Sequence, residues 1–402
     1  MNMHLFSRWE LDKLSVVNRL VRSATYEGLG TAEGYPTPAL GELYATLAAS
    51  RVGLLISGFV AVSQQGRAMH PGQCSIADDS LITPWRKIIG VAKSANPHVK
   101  LVMQVAHAGR QTRSTITKNR VVGASSCVCS YFRQRVKTLT DAEIGAIVAD
   151  FALAAQRAKG AGFDAVQIHA AHGYLVHQFL SPHTNNRNDK WGDKGLFLQA
   201  VVEAVKQTCG EDYPVFIKIS GADDFGFSEQ QAIAAIKRLG QMVSAVEVSY
   251  GTMERPLNII RGEFPVADIL KVNPFINRIP RLLRPWLGSK LLQEQRKAQI
   301  PFSPNYNAQR AARIAHEVTV PVFAVGGIRN SHDIHWQMEQ LGLPAVSLCR
   351  PFLADPQLAL KLASDENWQS SCISCNRCAV SCDAGGQVIC NYLNDQQERV
   401  NA

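Results

Sequence analysis

The stretch DAVQIHAAHGYLVHQFLSP, residues 164–182, joins an apolar run to a turn crowded with His169, His172, Tyr174 and His177. The run at its start, 163–170, reads as a buried strand, and seven similar β-branched runs recur along the chain: 19–25, 52–62, 99–109, 214–220, 245–251, 321–327 and 345–352. Runs apolar on both faces are the pattern of parallel strands covered by helices on either side. The segments between them carry helix signals. Thr140 and Glu143 predict a capping box, Ile144, Ile147, Val148 and Phe151 follow at helical spacing, and Gly160 and Gly162 are expected to stop that helix before the next strand. Eight β–α units in a row predict a closed TIM (β/α)8 barrel, an α/β fold, over a doubly wound open sheet. The latter would carry a Gly-rich dinucleotide turn after its first strand, and none is present. Residues 1–360 are assigned to the barrel. Within them, 252–305 form a long connection after the sixth run, read as a lid or substrate wall. From 361 to 402 the periodicity fails and a Cys-rich C-terminal segment begins.

A chain of 402 residues with 46% apolar content can bury a large core. The first twenty residues carry Arg8, Glu10, Asp12 and Lys13 without an unbroken apolar run, so no signal peptide is expected. No span of about 18 apolar residues predicts a membrane crossing, and a cytoplasmic protein follows as the expectation. The net charge of +9 concentrates once, in INRIPRLLRPWLGSKLL at 276–292, where Arg278, Arg281, Arg284 and Lys290 stand among leucines, Ile279 and Trp286. That segment reads first as a structured loop insertion, and second as a surface for an anionic amphipathic ligand, a membrane or a partner. No zinc finger, helix-turn-helix or RNP-like motif accompanies the basic residues, so nucleic acid is not an expected partner. Of ten cysteines, Cys372, Cys375, Cys378, Cys382 and Cys390 fall within nineteen residues. Without a secretory signal, such a run argues for metal or an iron–sulfur cluster over disulfides.

In a barrel the chemistry sits where strands end at the C-terminal face. His169 and His172, three apart on a turn loosened by Gly173, can present two N–H donors to one oxygen and stabilise charge developing there. Tyr174 can then supply a proton to a carbanion or enolate carbon. A zinc site is an alternative that lacks a third ligand at any recognisable spacing, and satisfied structural histidines are another. Gly326 and Gly327 end the seventh run and Arg350 ends the eighth, the two loops that commonly bind phosphate in this architecture. Gln104 and Lys218, ending runs three and five, are expected to point into the mouth and read a heteroaromatic ring. Lys218 also leaves open a Schiff-base aldolase.

Taken together, NRLVRSATYEG, SQQGR, QVAHAGRQ, the long stretch from LTDAEIG through HAAHGYLVHQFLSPHTNNRND, NYN, PVFAVGGIR and CRPFLADP resemble the old yellow enzyme family of FMN-dependent NADH:flavin oxidoreductases. The flavour is that of the flavin domain of 2,4-dienoyl-CoA reductases, and the similarity runs over about 350 residues. The resemblance implies a TIM barrel with FMN at its mouth. Gly326, Gly327, Cys349 and Arg350 would line the phosphate site, Gln104 would meet the pyrimidine edge, Lys218 would lie near flavin N1, and Ser23, Ala24 and Thr25 would pass along the isoalloxazine. His169 and His172 would bind the oxygen of an electron-withdrawing group while Tyr174 protonates the α-carbon of an electron-poor alkene. Three departures stand out. Lys218 replaces the usual arginine and so loses its fork geometry, Tyr26 stands where threonine or cysteine tunes the flavin, and Cys349 replaces a frequent glycine. The tail is similar to the C-x2-C-x3-C-x11-C cluster segment, but Cys372, Cys375, Cys378 and Cys390 are spaced C-x2-C-x2-C-x11-C. A [4Fe–4S] cluster, zinc and free thiols all remain open. The larger reductases continue into a dinucleotide-binding half. Ending at Ala402, this chain is expected to take electrons from NAD(P)H at the flavin or from an electron-carrier protein, and to form a homo-oligomer. A flavin and iron–sulfur electron-transfer or amine dehydrogenase-like subunit is the second function class.

Overall fold

The computed structural model describes residues 4–11, 13–272, 276–385 and 387–401. Eight parallel strands close a ring: β1 Leu20–Arg22, β2 Leu54–Ile56, β3 Lys100–Ala106, β4 Ala165–Ala170, β5 Val215–Ser220, β6 Ala245–Ser249, β7 Val322–Val325 and β8 Val346–Leu348. β8 pairs with β1 through Val346 and Leu20, and the β3–β4 pairing of Val102 with Ala165 completes the circle. The eight expected runs are the eight barrel strands. The second run is interrupted, since after Ile56 the chain leaves the ladder and rejoins β3 at Val60–Ala61.

Helices cover the outside: α1 Pro38–Ala49, α2 Ile82–Ala95, α3 Asp141–Ala161, α4 Leu196–Cys209, α5 Glu229–Leu239 and α6 Ala308–Glu317. α3 begins at the expected capping box. Thr140 Oγ1 accepts from the Glu143 amide at 3.3 Å, and Glu143 Oε2 accepts from the Thr140 amide at 2.8 Å. That backbone bond, with help from Arg120 and Lys137, holds the Glu143 carboxyl down at about 2. Gly162, left-handed at φ 100°, ends the helix, whereas Gly160 lies inside it; a residue without a side chain did not suffice to break a helix already anchored by packing.

The N-terminal end of the barrel is plugged. A hairpin of Trp9–Leu11 and Leu14–Val16 packs its apolar side chains against Val21, Val102, Phe216 and Phe323, with Trp9 edge-on to Phe323 at 5.7 Å. Burying each large side chain there contributes about 1.5–3 kcal/mol. Two additions cover the opposite end. The 252–305 connection is largely helical, with Pro256–Ile260, Val266–Val272, the 3-10 turn Ile276–Arg278 and Arg284–Lys297; its residues 273–275 lie outside the described residues. The cysteine segment, expected to lack periodicity, also contains helices, Arg377–Ala384 and Asn391–Asn401. It is tied to the barrel by the Val388 amide on the Glu27 carbonyl and by Arg329 on Ser374. Among the described residues no helix is long and apolar enough to cross a membrane.

Candidate active site

A cleft of about 910 Å³ opens at the C-terminal mouth. Ser23, Ala24 and Thr25, which leave β1 as it ends, form one wall. His172 and Lys218 face it from the strands β4 and β5 side, and Gly326, Gly327, Cys349 and Arg350 close its far end. These nine residues, all singled out by sequence, therefore share one cavity. Gln104, His169 and Tyr174 do not line it; each is buried behind the wall.

The far end suits a phosphate. Gly326 and Gly327 have φ of 127° and 92°, and a methyl group on either would run into the Tyr306 ring or the Asn305 backbone. Only a bare backbone fits there. Arg350 donates to the Arg261 carbonyl at 3.0 Å, to Asn376 Oδ1 at 2.6 Å and to the Ile260 carbonyl. Two further guanidiniums, not singled out from sequence, gather beside it. Arg329 lines the cleft, donates to Ser374 Oγ at 2.7 Å and lies 4.8 Å over Phe302, while Arg261 lies 4.5 Å over the Tyr306 ring. Arg329 stands two residues after the glycine pair, and that spacing was the available signal.

Lys218 sits at the floor in a polar network inside the barrel. Its Nζ donates to Ser23 Oγ at 2.8 Å and lies 3.2 Å from Glu247 Oε2. Glu247 is fully buried and accepts from Ser23 and Ser347 hydroxyls at 2.6 Å each and from Gln167 Nε2 at 3.0 Å. Burial pushes its carboxyl up, but the Lys218 charge and then the hydrogen bonds hold it below the ordinary glutamate range. Gln104, expected at the mouth, donates instead to Gln167 Oε1 at 2.8 Å and extends this network downward. The Lys218 amine is engaged by Ser23 Oγ and the buried Glu247 carboxylate and does not stand free as a nucleophile, so the aldolase reading has no support here. Glu247 was the missed member, and a lone acid inside the apolar run AVEVSYG was its signal.

The two histidines meet at the wall. Their ring centroids are 5.0 Å apart and nearly perpendicular. The Ala171 amide donates to His169 Nδ1 at 3.3 Å, which leaves the proton of a neutral ring on Nε2. His172 has φ 62°, its amide donates to Ser220 Oγ, and its Nε2 lies 2.8 Å from Ser249 Oγ. Burial first, then neighbouring positive charge, keeps both imidazoles well below the usual histidine range, so both are neutral donors at pH 7. The third histidine of the stretch is structural. His177 Nδ1 accepts from the Gly173 amide at 3.1 Å, and its Nε2 lies 3.3 Å from Asp223 Oδ2, fixing the turn that carries His172.

Tyr174 lies 4.8 Å from the His169 ring and stacks on Phe59 at 5.4 Å. Phe59 in turn meets Tyr26 at 5.8 Å, and Tyr26 meets His70 at 4.8 Å. Tyr174 is thus packed into an aromatic cluster and does not itself line the cleft, which sequence spacing alone did not reveal. Tyr26 lines the cleft, and its hydroxyl accepts from the Gly72 amide at 3.1 Å.

In the tail, Cys372, Cys375, Cys378 and Cys390 all line one cavity of about 330 Å³, which shares Arg350, Leu353 and Cys378 with the main cleft. Burial pushes the Cys378 thiol up to about 12. Among the described residues no three His, Cys, Asp or Glu side chains converge as they would on a single metal ion. Cys382, left over from the sequence pattern, lines the main cleft, and Cys349 Sγ accepts from Thr25 Oγ1 at 3.1 Å.

Residues 4–258 match the model of the NADH:flavin oxidoreductase / NADH oxidase family. The chain belongs to that family. Membership carries the family's FMN-dependent NAD(P)H oxidoreductase chemistry, and the glycine pair, the arginines and Lys218 form a donor set that fits FMN. Among characterised relatives, the NADPH dehydrogenase of Listeria monocytogenes is 34% identical over 286 residues, 69% of this chain and 80% of the relative. The NADH oxidase of Thermoanaerobacter brockii is 30% identical over 398 residues, and this chain spans only 54% of its length. The 4,4'-dithiodibutanoate disulfide reductase of Rhodococcus erythropolis is 26% identical and 92% covered. Two solved structures share the fold: a 2-naphthoyl-CoA reductase complex (TM-score 0.77, 19% identity, 94% of this chain and 54% of that one) and an old yellow enzyme homologue from Zymomonas mobilis (TM-score 0.70, 23% identity, 92% and 95%).

Proposed function

We propose that this flavoprotein reduces activated C=C bonds in enones, enoates or enoyl thioesters, with electrons from NAD(P)H. The observation that carries the reading is the pair of neutral imidazoles, 5.0 Å apart, beside a cleft whose other end is fitted for a phosphate. Gly326, Gly327, Cys349 and Arg350, with Arg329, would hold the FMN phosphate; Ser23, Ala24 and Thr25 would flank the ring and Lys218 would meet its polar edge. Bound FMN supplies the hydride. His172, and His169 through Nε2–H, donate to the substrate's electron-withdrawing oxygen, where negative charge grows as hydride arrives. Neutral donors do this without needing to be charged first. Tyr174, held by Phe59 and the His169 ring, is the proton donor to the α-carbon.

A second reading, a flavin and iron–sulfur electron-transfer subunit, is favoured by the four tail cysteines around one cavity next to the cleft. We assign Cys372, Cys375, Cys378 and Cys390 to a [4Fe–4S] cluster over zinc, because a cluster spreads its four ligands more widely than one ion does. Stopped-flow mixing separates the readings. Reduced protein should be reoxidised rapidly by cyclohexenone with alkene reduction; reoxidation only by a dialkyl disulfide or an electron carrier overturns the ene-reductase assignment. Tyr174→Phe should slow reoxidation and spare reduction by NAD(P)H. Iron and labile sulfide near four per chain, lost in Cys378→Ser, support the cluster, whereas stoichiometric zinc refutes it.

A further inference from the structure

The connection after β6 carries a surface that the flavin site does not use. Leu282 is 96% exposed, Trp286 67% and Leu291 66%, with Leu283 half exposed beside them. The helix Arg284–Lys297 turns its Gly288 and Leu292 inward, Gly288 against Leu270 and near Ile276, so the fold's own packing is satisfied without those outer side chains. Cations are interleaved with them. Arg281 and Lys290 are exposed, Lys290 Nζ lies 5.8 Å above the Trp286 ring, and Arg284 donates to the Asn277 carbonyl at 3.1 Å. From Ile276 to Leu292 there is no acidic residue.

We propose that this protrusion binds the surface of an anionic lipid bilayer. Exposed apolar and aromatic side chains interleaved with Arg and Lys match what an interfacial segment presents to headgroups and the acyl boundary. A second copy of the chain is the weaker occupant, because a two-fold interface would set Arg281 and Lys290 against their own images. An acidic protein would meet the charges, but the exposed Leu282, Trp286 and Leu291 are apolar groups that a bilayer boundary accepts without a shaped pocket. The protein docks peripherally, since no described helix can span a membrane. The same connection lines the cleft with Ile259 and Ile260.

Flotation of the full FMN-loaded chain with vesicles tests this. Vesicles of phosphatidylcholine with about one third phosphatidylglycerol should carry the protein upward, and pure phosphatidylcholine should not. Arg281→Glu and Lys290→Glu should each weaken partition about fivefold or more, and 0.5 M salt, roughly three times the physiological level, should do likewise. Leu282→Ser with Trp286→Ser should weaken it about tenfold with circular dichroism unchanged, both side chains being exposed. Three results would overturn the proposal: equal flotation with neutral vesicles, no flotation with anionic ones, or a dimer in sedimentation that the Leu282→Ser/Trp286→Ser variant dissociates.

Discussion

Replacing Glu247 by Gln removes one charge from the floor of the site while keeping the side chain's shape. Glu247 and Lys218 are both buried, 3.2 Å apart. At an effective dielectric of about 20, that separation is worth about 5 kcal/mol of attraction. Leaving a buried ammonium without its partner costs about 3–5 kcal/mol, since the new amide can keep accepting from Ser23 or Ser347 but cannot balance the charge. With about 2.1 cal/mol/K of unfolding entropy per residue over 402 residues, the fall in Tm is about 4–6 °C. Thermal melts by circular dichroism measure it. The double variant Lys218→Met/Glu247→Gln removes both charges and should recover most of the loss, as neutral replacements of buried pairs commonly do. The pH dependence follows from the sign of the shift: the Glu247 carboxyl is held below its unfolded value of about 4.3, so its contribution is whole above that pH and lost only as pH falls through the lower folded value. The gap between wild type and Glu247→Gln should therefore be equal at pH 7 and pH 6. In FMN-loaded protein the uncompensated ammonium should raise the flavin midpoint potential, read by spectroelectrochemistry. A Tm change under about 1 °C, or a double variant no better than the single, would refute the claim that Glu247 serves as the counter-charge of Lys218.

Other expectations concern separate parts of the molecule. His172→Ala should lower kcat/KM for an enone by about 10–100-fold, the worth of a hydrogen bond to developing charge, with FMN content unchanged. Because burial keeps His169, His172 and His107 neutral, His107 at about 3, the oxidative half-reaction should show no histidine titration between pH 6 and 8. Stability should fall as pH drops below about 6.5, where the unfolded chain binds protons that these rings refuse, and hydrogen-exchange or melting curves follow that. Gly327→Ala meets both a left-handed φ of 92° and the Asn305 backbone, so purified protein should lose most of its FMN. Thr140→Ala removes the cap of α3 and should cost about 0.5–2 kcal/mol with no change in flavin content, measured by urea unfolding.

The barrel was legible because each strand is a dense apolar run bounded by helix signals, and all eight runs became strands. The site was legible where one residue type has one use: a glycine pair at a strand end, an arginine after the next, and a histidine pair where a strand passes into its turn. It was less legible where placement depends on tertiary neighbours. Gln104 and Lys218 look alike from sequence, both polar near strand ends, yet Lys218 lines the cleft and Gln104 turns instead to Gln167 inside the barrel. Tyr174 follows His172 by two residues, but it stacks on Phe59, from a segment over a hundred residues earlier, and does not line the cleft. The role of Arg261 depends on how the 252–305 connection folds back, and no local pattern in that connection encodes it.

Strand alternation explains why the missed residues fall where they do. Side chains two apart on a strand share a face, and the inward faces can be followed upward: Val102 then Gln104, Ala165 then Gln167 then His169, Phe216 then Lys218, Ala245 then Glu247 then Ser249, Ala345 then Ser347. The lowest set is wholly apolar and packs on the N-terminal hairpin, the middle set is the Gln–Glu–Lys–Ser network, and the upper set reaches the histidine wall. A run that looks apolar on both faces is therefore apolar at its start and half polar at its end. The gradient has a physical reason. A buried ion pair is tolerable only with every remaining lone pair and proton engaged, and Gln104, Gln167, Ser23 and Ser347 supply those partners between a dry plug below and a cleft above. Placing Lys218 one layer lower would leave it against Phe216 and Phe323 with no acceptor; placing it higher would expose it to water and weaken its hold on a ligand. The middle layer is thus where a fixed positive charge can be both buried and presented to the mouth, and the polar positions of four different strands are arranged around that single requirement.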